Sequence, residues 1–252
     1  MIFAAGVGSR LKPFTDAHPK ALVEIGGRPI LGLVIAKLAA AGVDKIIINV
    51  HHFAEQIYDY LSAHDFGVDI AVSDESAKLL DTGGGIVAAA HLLSGDEGEP
   101  IIVHNADILT DFDIRAMIEQ WRRTGPMALL MAEDRDTSRK LLFDNDMKMR
   151  GWINSATHEV KPPTLSAEAA AACGQLAFGG VHILSPEILS HLCRYAARLG
   201  ESNPKFSITD FYISQCSTLD IRAYRPPQPY RWYDVGKPET LQAARAAFAN
   251  DK

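Results

Sequence analysis

A chain of 252 residues that is 47% hydrophobic and 22% charged has apolar mass for a sizeable core, as one large domain or a domain with an appendage. A formal net charge of −6 argues against a general binder of nucleic acid or anionic membrane, yet leaves room for one phosphate compound in a local basic pocket. Cys173, Cys193 and Cys216 lie far apart with no CxxC pair, which suggests neither a disulfide framework nor a zinc site and points to a reducing cytosol.

In chain order, an apolar run over 2–5 reads as a strand. No basic n-region precedes an apolar h-region, so it is not a signal peptide. The strand starts so near residue 1 that a few further residues are expected before it in the native protein. Apolar runs of strand length recur at 45–50, 68–72, 100–104 and 127–132, and none approaches the ~20 residues of a membrane span. Between them the spacing predicts helices. Ile30, Leu33, Val34, Lys37 and Leu38 share a face over 29–41 until Gly42, and 53–63, 85–93 and 114–123 behave alike. Asp111 or Asp113 is the candidate N-cap of the last. This alternation predicts an α/β fold with a mostly parallel central sheet and helices on both faces.

From Arg135 the rhythm changes. The turn Asp144-Asn145-Asp146 predicts a hairpin over 141–154, and 161–172 reads as loop then short helix. A strand is expected at 175–184, a helix opening at Ser185-Pro186, and late strands at 219–225 and 230–235. Lys237-Pro238-Glu239 then starts a terminal helix ending near Ala249. No internal repeat or long linker is visible, so one domain with an inserted section is expected over 1–252.

The loop after the first strand carries the chemistry. The dinucleotide fingerprint fails because Leu11 stands where a third Gly is required, and no Gly-Lys-Ser/Thr completes a Walker pattern. What remains is Gly6, Gly8, Arg10, Pro13, Thr15, Pro19 and Lys20. Glycines bring backbone N–H groups close to phosphate oxygens, Arg10 offers a fork, and Lys20 a point charge. A solvated Gly/Pro loop is the plainer reading. Against it, the loop leaves the carboxyl end of a strand, where open α/β sheets bind ligands.

Gly6-Val7-Gly8-Ser9-Arg10-Leu11-Lys12-Pro13-Phe14-Thr15, with Pro19-Lys20-Ala21-Leu22, resembles the signature of the sugar-1-phosphate nucleotidyltransferases. The likeness continues through Asp81-Thr82-Gly83-Gly84-Gly85, His104-Asn105-Ala106-Asp107, Phe178-Gly179-Gly180-Val181 and Trp232-Tyr233-Asp234-Val235-Gly236. Among subgroups it is most similar to the N-acetylmuramate-1-phosphate uridylyltransferases of peptidoglycan recycling.

The resemblance implies a Rossmann-like nucleotidyltransferase fold, with a nucleotide-binding part at 1–132, a sugar-binding part at 133–235 and a terminal helix at 236–252. It implies Mg²⁺-dependent transfer of a nucleotidyl group from a nucleoside triphosphate, UTP by subgroup, to a sugar 1-phosphate, with pyrophosphate leaving and no nucleic-acid or membrane partner. Arg10 would hold the β/γ-phosphates and Lys20 the α-phosphate, with Ala5, Gly6, Gly8 and Ser9 around them. Asp81, Thr82 and Gly83 would read the base. Asn105, Arg139 and Gly180 would contact the sugar, and Asp107 and Asp234 would hold Mg²⁺. The family's usual Gly is here Ala106, whose methyl lies beside the metal aspartate.

A sugar 1-phosphate, with a second pKa near ~6, is mostly dianionic at neutral pH and needs no general base. Other acceptors fit the same chemistry: mannose 1-phosphate with GTP, glucose 1-phosphate with dTTP or UTP, or phosphocholine with CTP. A non-catalytic nucleotide-sugar sensor or assembly subunit is the rival of another class, and the oligomeric state is left open. Taken singly, the residues have plainer roles: a cap or turn for Asp107, an Asx-turn for Asp234, a turn into a helix for Gly83–Gly85, a buried structural amide for Asn105 and a surface charge for Arg139. His51-His52 reads as a solvated loop pair and His104 as a satisfied strand residue.

Overall fold

The computed structural model describes residues 1–93, 98–201 and 204–248. The chain opens with β1 (Ile2–Phe3), passes three single 3-10 turns at Ser9–Leu11, Phe14–Asp16 and Lys20–Leu22, and makes a hairpin of β2 (Glu24–Ile25) and β3 (Arg28–Pro29). There follow α1 (Ile30–Ala40), β4 (Lys45–Val50), α2 (Ala54–Ser62), β5 (Asp69–Asp74), α3 (Asp81–Ala88) and α4 (Ala90–Leu93). Next come β6 (Ile101–Asn105), β7 (Ile108–Thr110), α5 (Ile114–Thr124) and β8 (Ala128–Glu133). The later part holds β9 (Arg139–Phe143), β10 (Met149–Asn154), β11 (Glu159–Lys161), α6 (Ala167–Ala171) and β12 (Gly174–Leu184). It ends with α7 (Ile188–Arg198), α8 (Ile208–Gln215), β13 (Ile221–Tyr224), β14 (Trp232–Asp234) and α9 (Pro238–Ala247); the predicted helix end at Ala249 lies outside the described residues.

β1 sits between β4 and β6, parallel to both, with β5 parallel beyond β4. Burial on both faces explains why Ile46, Ile47, Ile48 and Val50 of β4 are all apolar and enclosed. Ile46, Ile48 and Val50 join a core under α1, while Ile47 and Val103 face the opposite core under α7 and α8. Each such side chain contributes about 1.5–3 kcal/mol when fully buried.

The parallel run stops at β6. β12 is antiparallel to β6 and, on its other side, to β8, so β8 points as predicted but is not the neighbour of β6. β13 runs parallel to β8. The start of β12 also pairs with β9, which continues through β10 and β11, so the inserted section extends the same ten-stranded sheet. Asp113, not Asp111, caps α5 by accepting the Arg115 N–H at 2.9 Å.

Two buried histidines lie on adjoining strands. Burial pushes His104 down to about 4, and its Nδ1 donates to Asn105 O at 2.8 Å. Its Nε2 has no partner among the described residues, which corrects the expectation of a satisfied strand histidine. Burial also pushes His182 down to about 3, beside the Tyr212 hydroxyl. Both folded values lie below the ordinary 6.5, so the unfolded chain takes up protons first. Stability is then whole above pH ~6.5 and falls as pH drops toward 4, with a slope approaching about 1.4 kcal/mol per unit for each ring. The melting temperature should decline steadily from pH 6.5 to 4; a flat profile would refute the neutral buried pair.

Candidate active site

β1 ends at Phe3, and the Ala4 N–H donates to Asn49 Oδ1 at 2.8 Å, which pins the start of the loop to β4. Gly8 has φ +66, and a Cβ there would lie 2.9 Å from both Lys20 Cβ and Thr15 Cγ2. Only glycine lets the loop close over Lys20 in that left-handed backbone. Thr15 Oγ1 donates to Gly8 O at 2.9 Å, and the Ser9–Leu11 turn buries Leu11 while leaving Arg10 to the solvent side. Nothing lies within 4 Å of a Cβ on Gly6, so backbone there faces open space.

Lys20 is 8% exposed and ion-paired with Asp107 Oδ2. Asp107 follows β6, and the short ladder of β7 with β14 sets Asp234 opposite Ile108. The Val235 N–H also donates to Asp107 O at 2.9 Å. Two carboxylates far apart in sequence thus become neighbours. A methyl placed on Gly236 would lie 2.7 Å from both Asp234 Oδ1 and Lys20 Nζ, and 3.4 Å from Arg10 Nη2. The two cations and the second carboxylate therefore converge on one glycine.

Asp234 Oδ1 accepts the Gly236 N–H at 2.9 Å, the Asx-turn expected of this motif. Asp107 Oδ1 and Asp234 Oδ2 keep no hydrogen-bond partner among the described residues. Two hard oxygen donors beside a phosphate-sized space suit Mg²⁺, which takes one or two carboxylates and fills its remaining positions with phosphate and water. No cluster of three or more His, Cys, Asp or Glu residues competes for a softer metal among the described residues.

Arg10, Lys20, Asp107 and Gly236 border a cavity of about 370 Å³ at the carboxyl ends of β1 and β6, and Asp234 stands behind Gly236 without lining it. Ala5, Gly6, Gly8, Ser9, Arg10, Lys20, Asp81, Thr82, Asn105 and Asp107 line it, with the methyl of Ala106. Gly83 does not. Its N–H donates to Phe206 O at 2.9 Å, and a Cβ on it would strike the Phe206 ring at 2.3 Å. A Cβ on Gly84 would lie 2.5 Å from the Pro204 carbonyl oxygen, and one on Gly85 would lie 2.8 Å from Glu75 Oε1. The three glycines thus serve close packing at the start of α3. Of the segment expected to read the base, Asp81 and Thr82 remain on the cavity wall, and Asp81 adopts φ +62 with its Oδ1 accepting the Thr82 N–H at 2.6 Å.

Glu75 and Asn49, both on the cavity wall, escaped sequence reading. Asn49 Nδ2 donates to Glu75 Oε1 at 2.7 Å, and the Leu80 N–H donates to Glu75 Oε2 at 3.1 Å. With Ala4 N–H on Asn49 Oδ1, one buried relay joins the loop after β1 to the start of α3. Burial raises the Glu75 pKa, while the Asn49 and Leu80 hydrogen bonds oppose that shift. A polar residue near a strand end carries no sequence signal for this role.

Gly180 has φ +78 at the register shift of β12, and a Cβ there would lie 3.0 Å from Asn105 Nδ2. It abuts Asn105 at the cavity edge. Arg139 is elsewhere, on the wall of an adjoining cavity that also takes Arg135 and Phe178. Arg135, unremarked in sequence, stacks 3.8 Å over the Trp232 ring and donates to Phe178 O at 2.9 Å. Burial lowers its pKa, and the charges of Glu133 and then Asp234 pull the other way.

A model of the nucleotidyl transferase family matches residues 1–251. The chain belongs to that family. This nucleotidyl transferase is 30% identical over 99% of its length to the N-acetylmuramate alpha-1-phosphate uridylyltransferase of Caulobacter vibrioides, covering 96% of that protein. It is 42% identical to the Neisseria meningitidis protein of the same name, over 47% of this chain and about half (51%) of that relative's length. The mannose-1-phosphate guanylyltransferase 1 of Arabidopsis thaliana is 25% identical over 94% of the chain and 61% of its own length. Among solved structures, UDP-glucose pyrophosphorylase complexed with UDP-glucose superposes with a TM-score of 0.76 at 20% identity, covering 100% of this chain and 98% of that one. HddC from Yersinia pseudotuberculosis gives 0.73 at 23% identity, over 98% and 97%. These likenesses show the Rossmann-like nucleotidyltransferase fold.

Proposed function

We propose that this nucleotidyl transferase moves a uridylyl group from UTP to N-acetylmuramate 1-phosphate, releasing pyrophosphate, with Mg²⁺ as cofactor. The single observation that carries the chemistry is the convergence of Arg10, Lys20 and Asp234 at Gly236, with Asp107 ion-paired to Lys20. The substrates follow two relatives, both named as N-acetylmuramate alpha-1-phosphate uridylyltransferases.

The obstacle is repulsion between a triphosphate and a phosphate ester. A cation about 4 Å from a phosphate charge contributes on the order of 4 kcal/mol at an effective dielectric of ~20. Lys20 is held at the loop mouth for the α-phosphate, and Arg10 for the β/γ-phosphates and departing pyrophosphate. Asp107 and Asp234 would hold Mg²⁺, whose charge, when bound, helps neutralise the phosphates. The acceptor phosphate attacks in line on the α-phosphorus; its own charge makes a general base unnecessary. Asp81 and Thr82 border the space for the base, and Asn105 with Gly180 the space for the sugar. The three free cysteines accord with a cytoplasmic enzyme of peptidoglycan recycling, and no described helix is long and apolar enough to cross a membrane.

Each of the four common ribonucleoside triphosphates and dTTP, incubated with N-acetylmuramate, glucose and mannose 1-phosphates and phosphocholine, tests this through pyrophosphate release. UTP with N-acetylmuramate 1-phosphate should exceed every other pair by tenfold or more in kcat/KM. Preference for mannose 1-phosphate with GTP would transfer the assignment to the guanylyltransferases. Nucleotide binding without pyrophosphate from any pair would favour a sensor.

A further inference from the structure

We infer that Arg135 is a positioning residue for Asp234, acting through the ring of Trp232; this rests on the Mg²⁺ reading above. β14 pairs with β7 in a two-stranded ladder that stands apart from the ten-stranded sheet. Toward β8 and β12 it is held by side chains. Trp232 Nε1 donates to Gly179 O at 2.9 Å, and the hydroxyl of Tyr230, two residues earlier, donates to Glu133 Oε2 at 2.8 Å. The Arg135 guanidinium lies 3.8 Å over the Trp232 ring and donates through Nη2 to Phe178 O at 2.9 Å. One indole thus has its edge tied to β12 and its face covered by a cation tied to the same strand.

The two contacts constrain different motions. The Nε1 bond alone leaves the ring able to turn about its own N–H direction, and a cation attracted to the ring face opposes that turn. Trp232 and Asp234 are two apart on a strand, so their side chains leave the same face, and a shift of the ring reaches the backbone that aims the carboxylate. Beyond Asp234, the Val235 N–H ties the chain to Asp107 O at 2.9 Å. Before it, the placing falls to the β7 ladder and to Trp232. The charge of Arg135 is meanwhile answered without substrate. Its Nε faces Glu133 Oε1 at 3.8 Å, and both atoms are buried with no hydrogen-bond partner among the described residues. A guanidinium committed to a carbonyl, a ring and a carboxylate has little of its fork left for a phosphate. Its effect on the reaction therefore runs through the strand.

The test is Mn²⁺ binding to the whole enzyme with UTP present and no acceptor, followed by the paramagnetic resonance of the ion. Arg135→Ala should weaken Mn²⁺ about tenfold to a hundredfold, the loss usual when an outer partner of a metal ligand is removed. The KM values for UTP and the sugar 1-phosphate at saturating Mg²⁺ should stay near those of the wild type. Arg135→Lys restores the stack without the simultaneous bond to Phe178 O, so it should lie between, and it carries the test alone if alanine prevents folding. A purely structural role would lower the melting temperature and leave the Mn²⁺ affinity of the folded enzyme unchanged. Unchanged affinity in Arg135→Ala, or in Arg135→Lys where alanine does not fold, overturns the positioning role. So does a raised KM for the sugar 1-phosphate that saturating metal does not correct, since Arg135 would then touch substrate. Asp234→Asn separates this from the metal reading, and should weaken Mn²⁺ more than Arg135→Ala does. A loss in Asp234→Asn with none in Arg135→Ala removes the positioning role alone. If Asp234→Asn binds Mn²⁺ as the wild type does, both readings fall.

Discussion

Replacing Lys20 with alanine should lower kcat by about 10²–10³ while the protein stays folded. Its ammonium is mostly enclosed and ion-paired with Asp107, and it sits so near Gly236 that a Cβ there would lie 2.7 Å from it. Removal leaves the phosphate loop without its enclosed cation. Stability should change less, because Asp107 keeps 29% of its side-chain surface exposed and water can solvate it. Lys20→Arg should recover little, since the larger planar fork has no room between Gly8 and Gly236. Steady-state turnover beside a thermal melt separates the two effects. A kcat within a few-fold of wild type would remove Lys20 from the chemistry.

Glu75→Gln should be nearly as damaging, by a different route. Asn49 must present its oxygen to the Ala4 N–H, so it can only offer its amide N–H to Glu75. The other Glu75 oxygen faces the Leu80 N–H. Glutamine at this position always sets a donor against a donor, and a buried polar group left unpaired costs about 1–3 kcal/mol. The melting temperature should fall and the nucleotide KM rise, because both loop and α3 lose their brace. Asn49→Asp combined with Glu75→Gln restores every complement. The carboxylate introduced by Asn49→Asp would accept from Ala4 and from the new glutamine N–H, whose oxygen would accept from Leu80. The double variant should therefore be more stable than Glu75→Gln alone. If its loss instead equals the sum of the two single losses, the relay is not what positions the loop.

The opening motif was the most legible part of the site. Gly6, Gly8, Arg10 and Lys20 could be placed together at one loop because glycine and proline spacing dictates local backbone, and local backbone is what sequence encodes most directly. The parallel strands 45–50 and 100–104 were equally plain, since strands covered on both faces must be continuously apolar. The Gly83–Gly85 run was legible as a motif but not in its use. Its reason is the ring of Phe206, the carbonyl of Pro204 and the carboxylate of Glu75, each brought from elsewhere in the chain. Helix α8 and the β7–β14 ladder escaped for related reasons: their patterns are short, and their partners are distant. The insertion of β12 between β6 and β8 had no local mark either, because register and neighbour choice depend on which apolar faces remain to be covered.

By itself the amino-acid order determined that a strand would end in a glycine-rich basic loop, and that carboxylates would follow two later strands. Those are properties of short stretches, governed by dihedral freedom and the periodicity of burial. Only tertiary folding decided that Asp234 would stand beside Asp107, that Glu75 would brace both loop and helix, and that Arg139 would open onto a separate cavity. Those facts depend on how long-range strand pairing closes space. Charges far apart in sequence count for catalysis only once the sheet has set them a few ångströms apart.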